Sequence, residues 1–350
     1  MDPINVLVNV SNHSQNLASN ISQNQSYANA PVNFMFMIPA LSIISVIAII
    51  ANIFCLTTIY HTPSLHDISN VMIANLAIID LLTGMTVIPT IITVLLLGNE
   101  TPSWLCKLQG FLTVAMYGAS LFAIVGISID RFRAVTRPYH YSSIITKTII
   151  VKLLMTIPIP IIVASLPLFN LVNHGFGSYI KEFVCWSPAC RHNQPAYISS
   201  AATAVFIVIC IGIVLFCYIT IFIIAYHKNK KNIHLKRNIN IKSIRTTALI
   251  VGTNLICFLP QLSAITSALI NCNNNSPEFF QAVFYTITLS NSALNPIVYI
   301  STNSILRRKL VQLMLVKALS KKDPYSQRDH LPQSRSLELS NNTSILTTRF

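Results

Sequence analysis

The chain has 350 residues, of which 53% are hydrophobic and only 10% charged, with a formal net charge of +14. A soluble domain carries about 25% charged residues, so this composition excludes an ordinary water-solvated globule and points to a chain solvated by lipid. The Lys and Arg surplus flanks apolar runs instead of forming a basic face, which argues against nucleic acid as a partner.

In chain order, residues 1–33 form a polar tail without the charged start and apolar centre of a cleavable signal peptide, so the first apolar run is expected to act as an uncleaved anchor. N-x-S/T triplets at Asn9, Asn12, Asn20 and Asn24, with Asn99 and Asn274 farther on, are candidate glycosylation sites. Uncharged runs cover 34–60, 108–129, 153–173, 194–226, 246–271 and 279–306, and a further run over 68–98 is broken only by Asp80. Each is long enough for the roughly 20 residues that a spanning helix needs. The expected fold is therefore an all-α membrane protein, a seven-transmembrane helix bundle over 34–301.

Assigning the connections alternately to the two sides places Lys107, Lys181 and Arg191 on one face and every other Lys and Arg on the opposite one. The positive-inside rule makes the rich face cytoplasmic. The N-terminus is then extracellular, the C-terminus is cytoplasmic, and the plasma membrane is the expected location. The segment after Lys322 is polar, rich in Ser and Thr, and reads as a disordered cytoplasmic tail over 320–350. Within it Ser334, Ser336, Ser340, Thr343 and Ser344 are candidate phosphorylation sites that would add negative charge.

Of the eight cysteines, Cys55, Cys210, Cys217 and Cys257 fall inside spans, where they read as small apolar packing residues. Cys106, Cys185, Cys190 and Cys272 fall on the oxidising face, where a disulfide is allowed. A bridge between Cys106 and Cys185 would pin the loop before span five across the outer mouth. Cys190 is the competing partner, with a second bridge from Cys190 to Cys272 open as well.

Polar groups inside lipid are costly and mark function. Asp80 in "NLAIIDLL" is the one acid well inside any span; Asn52 and Ser120 add polar groups from spans one and three. Span seven contributes "SNSALNPIVYI", in which Asn291, Asn295 and Tyr299 recur at intervals of four and share one helical face. Pro296 has no N–H, which releases the carbonyl of Ser292 from the helix ladder. These groups satisfy one another only by converging.

At the inner end of span three, Asp130, Arg131 and Phe132 stand in "SIDRFRAV". Together with "LAIID", the Cys106 to Arg131 interval, "CFLP" at 257–260 and "NPIVY" at 295–299, they make a set that resembles the signature of rhodopsin-like (class A) G-protein-coupled receptors, and the likeness covers all seven spans. The resemblance implies a non-enzymatic cell-surface receptor that binds an extracellular ligand and activates a heterotrimeric G protein. Arg131 then engages the G protein, flanked by Asp130 and Phe132. Phe258 and Pro260 form the toggle and kink of span six, while Asn295, Pro296 and Tyr299 move during activation. Asp80, Ser120, Asn291, Ser292 and Asn295 match an allosteric sodium pocket of hard oxygen ligands. Leu306, Arg307 and Arg308, followed by Leu310, Leu313 and Met314, resemble the start of a short amphipathic eighth helix over 302–319. The basic loop from His227 to Arg245 is expected to join Arg131 at the G-protein face.

The chain departs from the family pattern at named positions. Phe132 replaces a usual Tyr and Phe258 a usual Trp, span four has no Trp, and Cys210 stands where a Pro is common. Asn254 replaces a usual Phe, and Asn240 occupies the place of an acidic partner for the arginine, which implies elevated basal signalling. Thr113 stands where amine receptors carry an aspartate, and Leu289 stands at the retinal-lysine place, so a Schiff-base chromophore is excluded. By analogy the ligand pocket is lined by Thr113, Val114, Tyr117, Phe206, Phe258, Gln261, Leu262, Ile265 and Tyr285, an apolar set with few polar anchors, which suits a small neutral or lipid-like ligand. A secondary transporter using Asp80 at mid-membrane is the alternative, but no internal repeat supports it. An intramembrane enzyme fits less well, because none of the nine histidines lies within a span and one deep carboxylate makes no acid dyad.

Overall fold

The computed structural model describes residues 36–136, 156–169, 177–181, 184–187, 190–191, 194–195, 197–231, 241–270, 278–302, 307–309 and 311–312. Helix α1 is Phe36–Tyr60 and α2 is Ile68–Glu100. Helix α3 is Ser103–Thr136, α4 is Pro158–Phe169 in its described part, and α5 is Tyr197–Lys231. Helices α6, Ile241–Ile270, and α7, Glu278–Thr302, follow. Among the described residues five helices, α1, α2, α3, α5 and α6, are long and apolar enough to cross a membrane. Helix α7 has 25 residues, and its polar stretch around Asn291 lowers its hydropathy.

The bundle distributes its residues the opposite way from a soluble protein. Large apolar side chains such as Phe36, Ile43 and Ile50 of α1 and Val205, Phe216 and Phe222 of α5 face outward, while Asn52, Asp80, Ser120, Asn291 and Asn295 are buried. Lipid is the solvent that makes this arrangement favourable. Outward-facing hydroxyls follow the same logic, since Thr57, Thr86, Thr93 and Thr220 each donate to the carbonyl four residues earlier in their own helix.

Helix α3 is the hub, packing against α2, α4, α5 and α6, while α6 lies along α7. Its 34 residues span about 50 Å at 1.5 Å per residue, longer than a hydrocarbon core of about 30 Å, so both ends reach the headgroup layers. Helix α2 contains a π-helical turn at Thr83–Val87, just before Pro89, whose missing N–H breaks the regular ladder. In that turn Gly84 lets α1 approach closely: an added Cβ would stand 3.2 Å from Ala48, and Ser45 donates to the Gly84 carbonyl at 2.8 Å.

Two short hairpins lie between α4 and α5. Strand β1, Ile180–Lys181, pairs antiparallel with β2, Cys185–Trp186, and β3, Cys190–Arg191, pairs with β4, Gln194–Pro195. Cys185 of β2 is disulfide-bonded to Cys106 at the start of α3. The Lys181 ammonium donates to the carbonyl of Gly98, a residue at φ 54 where glycine avoids the penalty of an L side chain. Chain contacts separate a main unit ending at Arg307 from a second one beginning at Arg308, of which residues 308–309 and 311–312 are described and helical.

Candidate functional site

The first hairpin is held down by one wholly buried amide. Gln109 of α3 accepts from the Cys185 N–H at 2.8 Å through Oε1 and donates to Thr113 Oγ1 at 2.9 Å through Nε2. Thr113 in turn donates to the Gln109 carbonyl at 2.8 Å. The neighbouring Tyr179 lays its ring over Gly110, where an added Cβ would stand 2.3 Å from a ring carbon, and its hydroxyl donates to the Ala164 carbonyl at 2.8 Å. Burial pushes the Tyr179 phenol above its usual range, so it stays a protonated donor across physiological pH. Loop, α3 and α4 are thus joined without any ion pair at this point.

Beneath the hairpin lies a cavity with an empty volume of about 880 Å³, counted with its open mouth. Thr113, Val114, Tyr117, Phe206, Phe258, Gln261, Ile265 and Tyr285 all line it. Leu262 does not; it is partly buried and packs against the main apolar core, one position round the helix from Gln261. The sequence reading missed the outer wall, made by Tyr179, Trp186 and Ser187 of the loop and by Ser199, Ser200 and Thr203 of α5. No carboxylate, ammonium, guanidinium or imidazole is found among these lining residues. At the floor, Tyr117 meets Phe258 edge to face, with ring centroids 6.2 Å apart. Phe258 lies just before Pro260, and beside that break Thr288 of α7 donates to the Cys257 carbonyl at 3.0 Å.

Below this floor the polar groups of the spans converge. Asn295 donates to Asp80 Oδ2 at 2.8 Å, and Asn291 reaches Ser120 Oγ at 3.5 Å. Asn52 donates to the Ser292 carbonyl at 3.0 Å, satisfying the acceptor that Pro296 releases. Asn254 donates to Asn295 Oδ1 at 2.8 Å, so the position that departs from the family's usual Phe adds α6 to the cluster. Helices α1, α2, α3, α6 and α7 are therefore tied at one level. The oxygens Asn52 Oδ1, Asp80 Oδ1 and Asn291 Oδ1 remain buried without a hydrogen-bond partner. Unpaired hard oxygens around one carboxylate are the donor set that a small alkali cation requires, so the residues fit sodium.

Near the C-terminal end of α3 Arg131 Nη2 meets Asp130 Oδ2 at 2.7 Å with both side chains buried, and the Phe132 ring packs at 5.9 Å from that of Phe216. Tyr299 is buried with its hydroxyl unpaired. Asn240, Leu306, Leu310, Leu313, Met314, Cys272 and the serines and threonines of the tail lie outside the described residues, as do the side chain of Cys190 and the acceptors Asn9, Asn12, Asn20, Asn24 and Asn274. Asn99 is exposed in the turn Gly98–Glu100.

The model of the 7 transmembrane receptor (rhodopsin family) matches residues 51–299. Among curated relatives, the trace amine-associated receptor 5 of Homo sapiens is 24% identical over 307 residues, covering 84% of this chain and 86% of that protein. The histamine H2 receptor of Canis lupus familiaris is 26% identical over 312 residues, covering 87% and 85%. Olfactory receptor 4K2 of Homo sapiens is 26% identical over 289 residues, covering 79% and 88%. A cavity over an aromatic floor, a polar cluster joining five helices and an Asp–Arg pair near the C-terminal end of α3 follow one another along the same bundle that this family model describes, and the chain belongs to the rhodopsin family of seven-transmembrane receptors.

Proposed function

We propose that this receptor takes a small uncharged ligand from the extracellular side into the cavity between α3, α5, α6 and α7, and passes its occupancy to a heterotrimeric G protein at Arg131. Membership of the family makes the protein a ligand-binding, G-protein-coupling receptor and not an enzyme. The observation that carries the finer reading is the lining itself. A fixed charge on a ligand would be stripped of water with no opposite charge among the described lining residues to meet it. The relatives named for trace amines and histamine suggest an amine, and the uncharged lining argues against holding one by charge pairing.

A ligand on Tyr117 and Phe258 lies at the level of the Pro260 break, so its shape biases the angle of α6. Asp80, Ser120, Asn291, Ser292 and Asn295 would hold a sodium ion, which supplies a positive charge beside the Asp80 carboxylate. The orientation with the N-terminus outside, the residence in the plasma membrane, the glycosylation of Asn9, Asn12, Asn20, Asn24, Asn99 and Asn274, the amphipathic segment over 302–319 and the arrestin-like partner at the tail belong to the same reading. The test is ligand-free and ligand-stimulated nucleotide exchange by the full-length receptor in lipid nanodiscs across a panel of G proteins. Wild type accelerates exchange on at least one of them, and Arg131→Ala abolishes that while the protein still reaches the cell surface. Full exchange by Arg131→Ala would remove Arg131 from the coupling role.

A further inference from the structure

The chemistry of the ligand can be narrowed by following the hydroxyl protons around the cavity. Each Ser, Thr or Tyr hydroxyl has one proton to give. Thr113 gives its proton to the Gln109 carbonyl, Ser200 to the Ser187 carbonyl and Thr203 to the Ser199 carbonyl. Tyr179 gives its own to the Ala164 carbonyl, and the Ser187 and Ser199 hydroxyls bond to each other at 3.0 Å. Tyr117 differs: its hydroxyl is buried at the floor and is the one side-chain group of the cavity wall found both buried and without a hydrogen-bond partner among the described residues. Its ring stands in edge contact with that of Phe258.

We propose that the cavity binds a neutral, largely apolar molecule with one hydrogen-bond acceptor, a carbonyl or ether oxygen, and that the Tyr117 phenol donates to it. A pure hydrocarbon leaves this donor unmet, which costs affinity. Further acceptors on the ligand find the hydroxyl protons of Thr113, Tyr179, Ser200 and Thr203 already committed. An ammonium or carboxylate group is desolvated without a counter-charge among the described lining residues. The acceptor also seats the ligand against Phe258, which gives the anchor a direct route to the α6 break.

The inference rests on the cavity being the ligand site, and the experiment separates the two. Full-length receptor in lipid nanodiscs is titrated with three probes on one carbon skeleton: benzylacetone, the primary amine that replaces its ketone, and butylbenzene. Dissociation constants are read from the rise in thermal midpoint. In wild type, benzylacetone binds about three- to tenfold more tightly than butylbenzene, the net worth of one hydrogen bond, and the amine binds most weakly. In Tyr117→Phe, which deletes a single oxygen, the ketone loses that advantage and butylbenzene is unchanged. An advantage that survives in Tyr117→Phe, or an amine that ranks first in wild type, overturns the anchor and leaves the cavity standing. If none of the three binds folded wild-type receptor, the cavity fails as the ligand site and the anchor fails with it. Should Tyr117→Phe not fold, the wild-type ranking decides alone, and any order other than ketone first overturns the proposal.

Discussion

Gln109 shows how one side chain organises a whole face of the molecule. Its amide is fully buried, and both of its ends are used, one on the hairpin backbone and one on Thr113. Replacing it by Leu keeps the volume but strands the Cys185 N–H and removes the donor to Thr113. Each buried polar group left unpaired costs about 1–3 kcal/mol. Gln109→Leu is therefore expected to lower the thermal midpoint in nanodiscs by several degrees and to speed proteolysis between Tyr179 and Trp186. An unchanged midpoint would show that the loop is held by the Cys106–Cys185 bridge alone. In the sequence Gln109 was an ordinary polar residue near the start of span three, and nothing local marked it. Its partner Cys185 lies 76 residues away, and only the folded loop brings the two together.

At the scale of elements, α6 is tied to α7 by Asn254, whose Nδ2 serves both the Ile250 carbonyl and Asn295 Oδ1. Asn254→Leu removes this tie and frees α6 to swing about Pro260. Ligand-free nucleotide exchange is expected to rise by about three- to tenfold, the equilibrium shift that loss of one net hydrogen bond allows. Exchange at or below the wild-type level would mean that the tie acts in the active arrangement instead. The same cluster is expected to respond to sodium. With potassium holding the ionic strength constant, sodium should raise the thermal midpoint and lower ligand-free exchange in wild type, and Asp80→Asn should show neither effect. The elements and this cluster were legible in the sequence because lipid imposes two plain signatures: apolar runs of spanning length, and polar residues inside them. Asn291, Asn295 and Asp80 stood out for that reason. The outer wall of the cavity was not legible, since Tyr179, Ser187 and Ser200 look like any polar loop or interfacial residues until the bridge folds the hairpin inward. Leu262 was misplaced for a related reason. At 3.6 residues per turn the sequence pattern alone is too coarse to separate the cavity face from the neighbouring core face without the packing of α6 against α7.

For the whole molecule, the Cys106–Cys185 bridge closes a loop with a sequence separation of 79 that includes most of α3, the segment before α4, and α4 itself. By loop-closure entropy such a link contributes about 4–5 kcal/mol, offset by whatever restraint the membrane already imposes on the unfolded chain. Cys185→Ser is expected to lower the thermal midpoint and, by releasing the hairpin, to weaken every cavity probe together. Selective loss of one probe would instead place the sulfur in direct ligand contact. The described part of the bundle stays together through close packing of side chains such as Leu76, Ile79 and Ile124 and through buried amides, not through burial of oil from water, because its oily surface is already in its preferred solvent.

Asn52 gives this a consequence in time. Its amide caps the Ser292 carbonyl, which lies 240 residues later in the chain. At roughly 5–20 residues per second, synthesis of that interval takes on the order of 10–50 s. Throughout it α1 sits in the bilayer with an amide that has the Ala48 carbonyl of its own helix as an acceptor and whose cross-helix acceptor has not been made. A nascent receptor therefore carries a built-in marker of incompleteness, an amide exposed to lipid or to whatever chaperone shields it, and the marker disappears only when the last helix docks. Chains stopped before Ser292 are expected to be held back and degraded in pulse-chase experiments, and Asn52→Leu in the stopped chain should lengthen their survival even though the same change weakens the finished receptor.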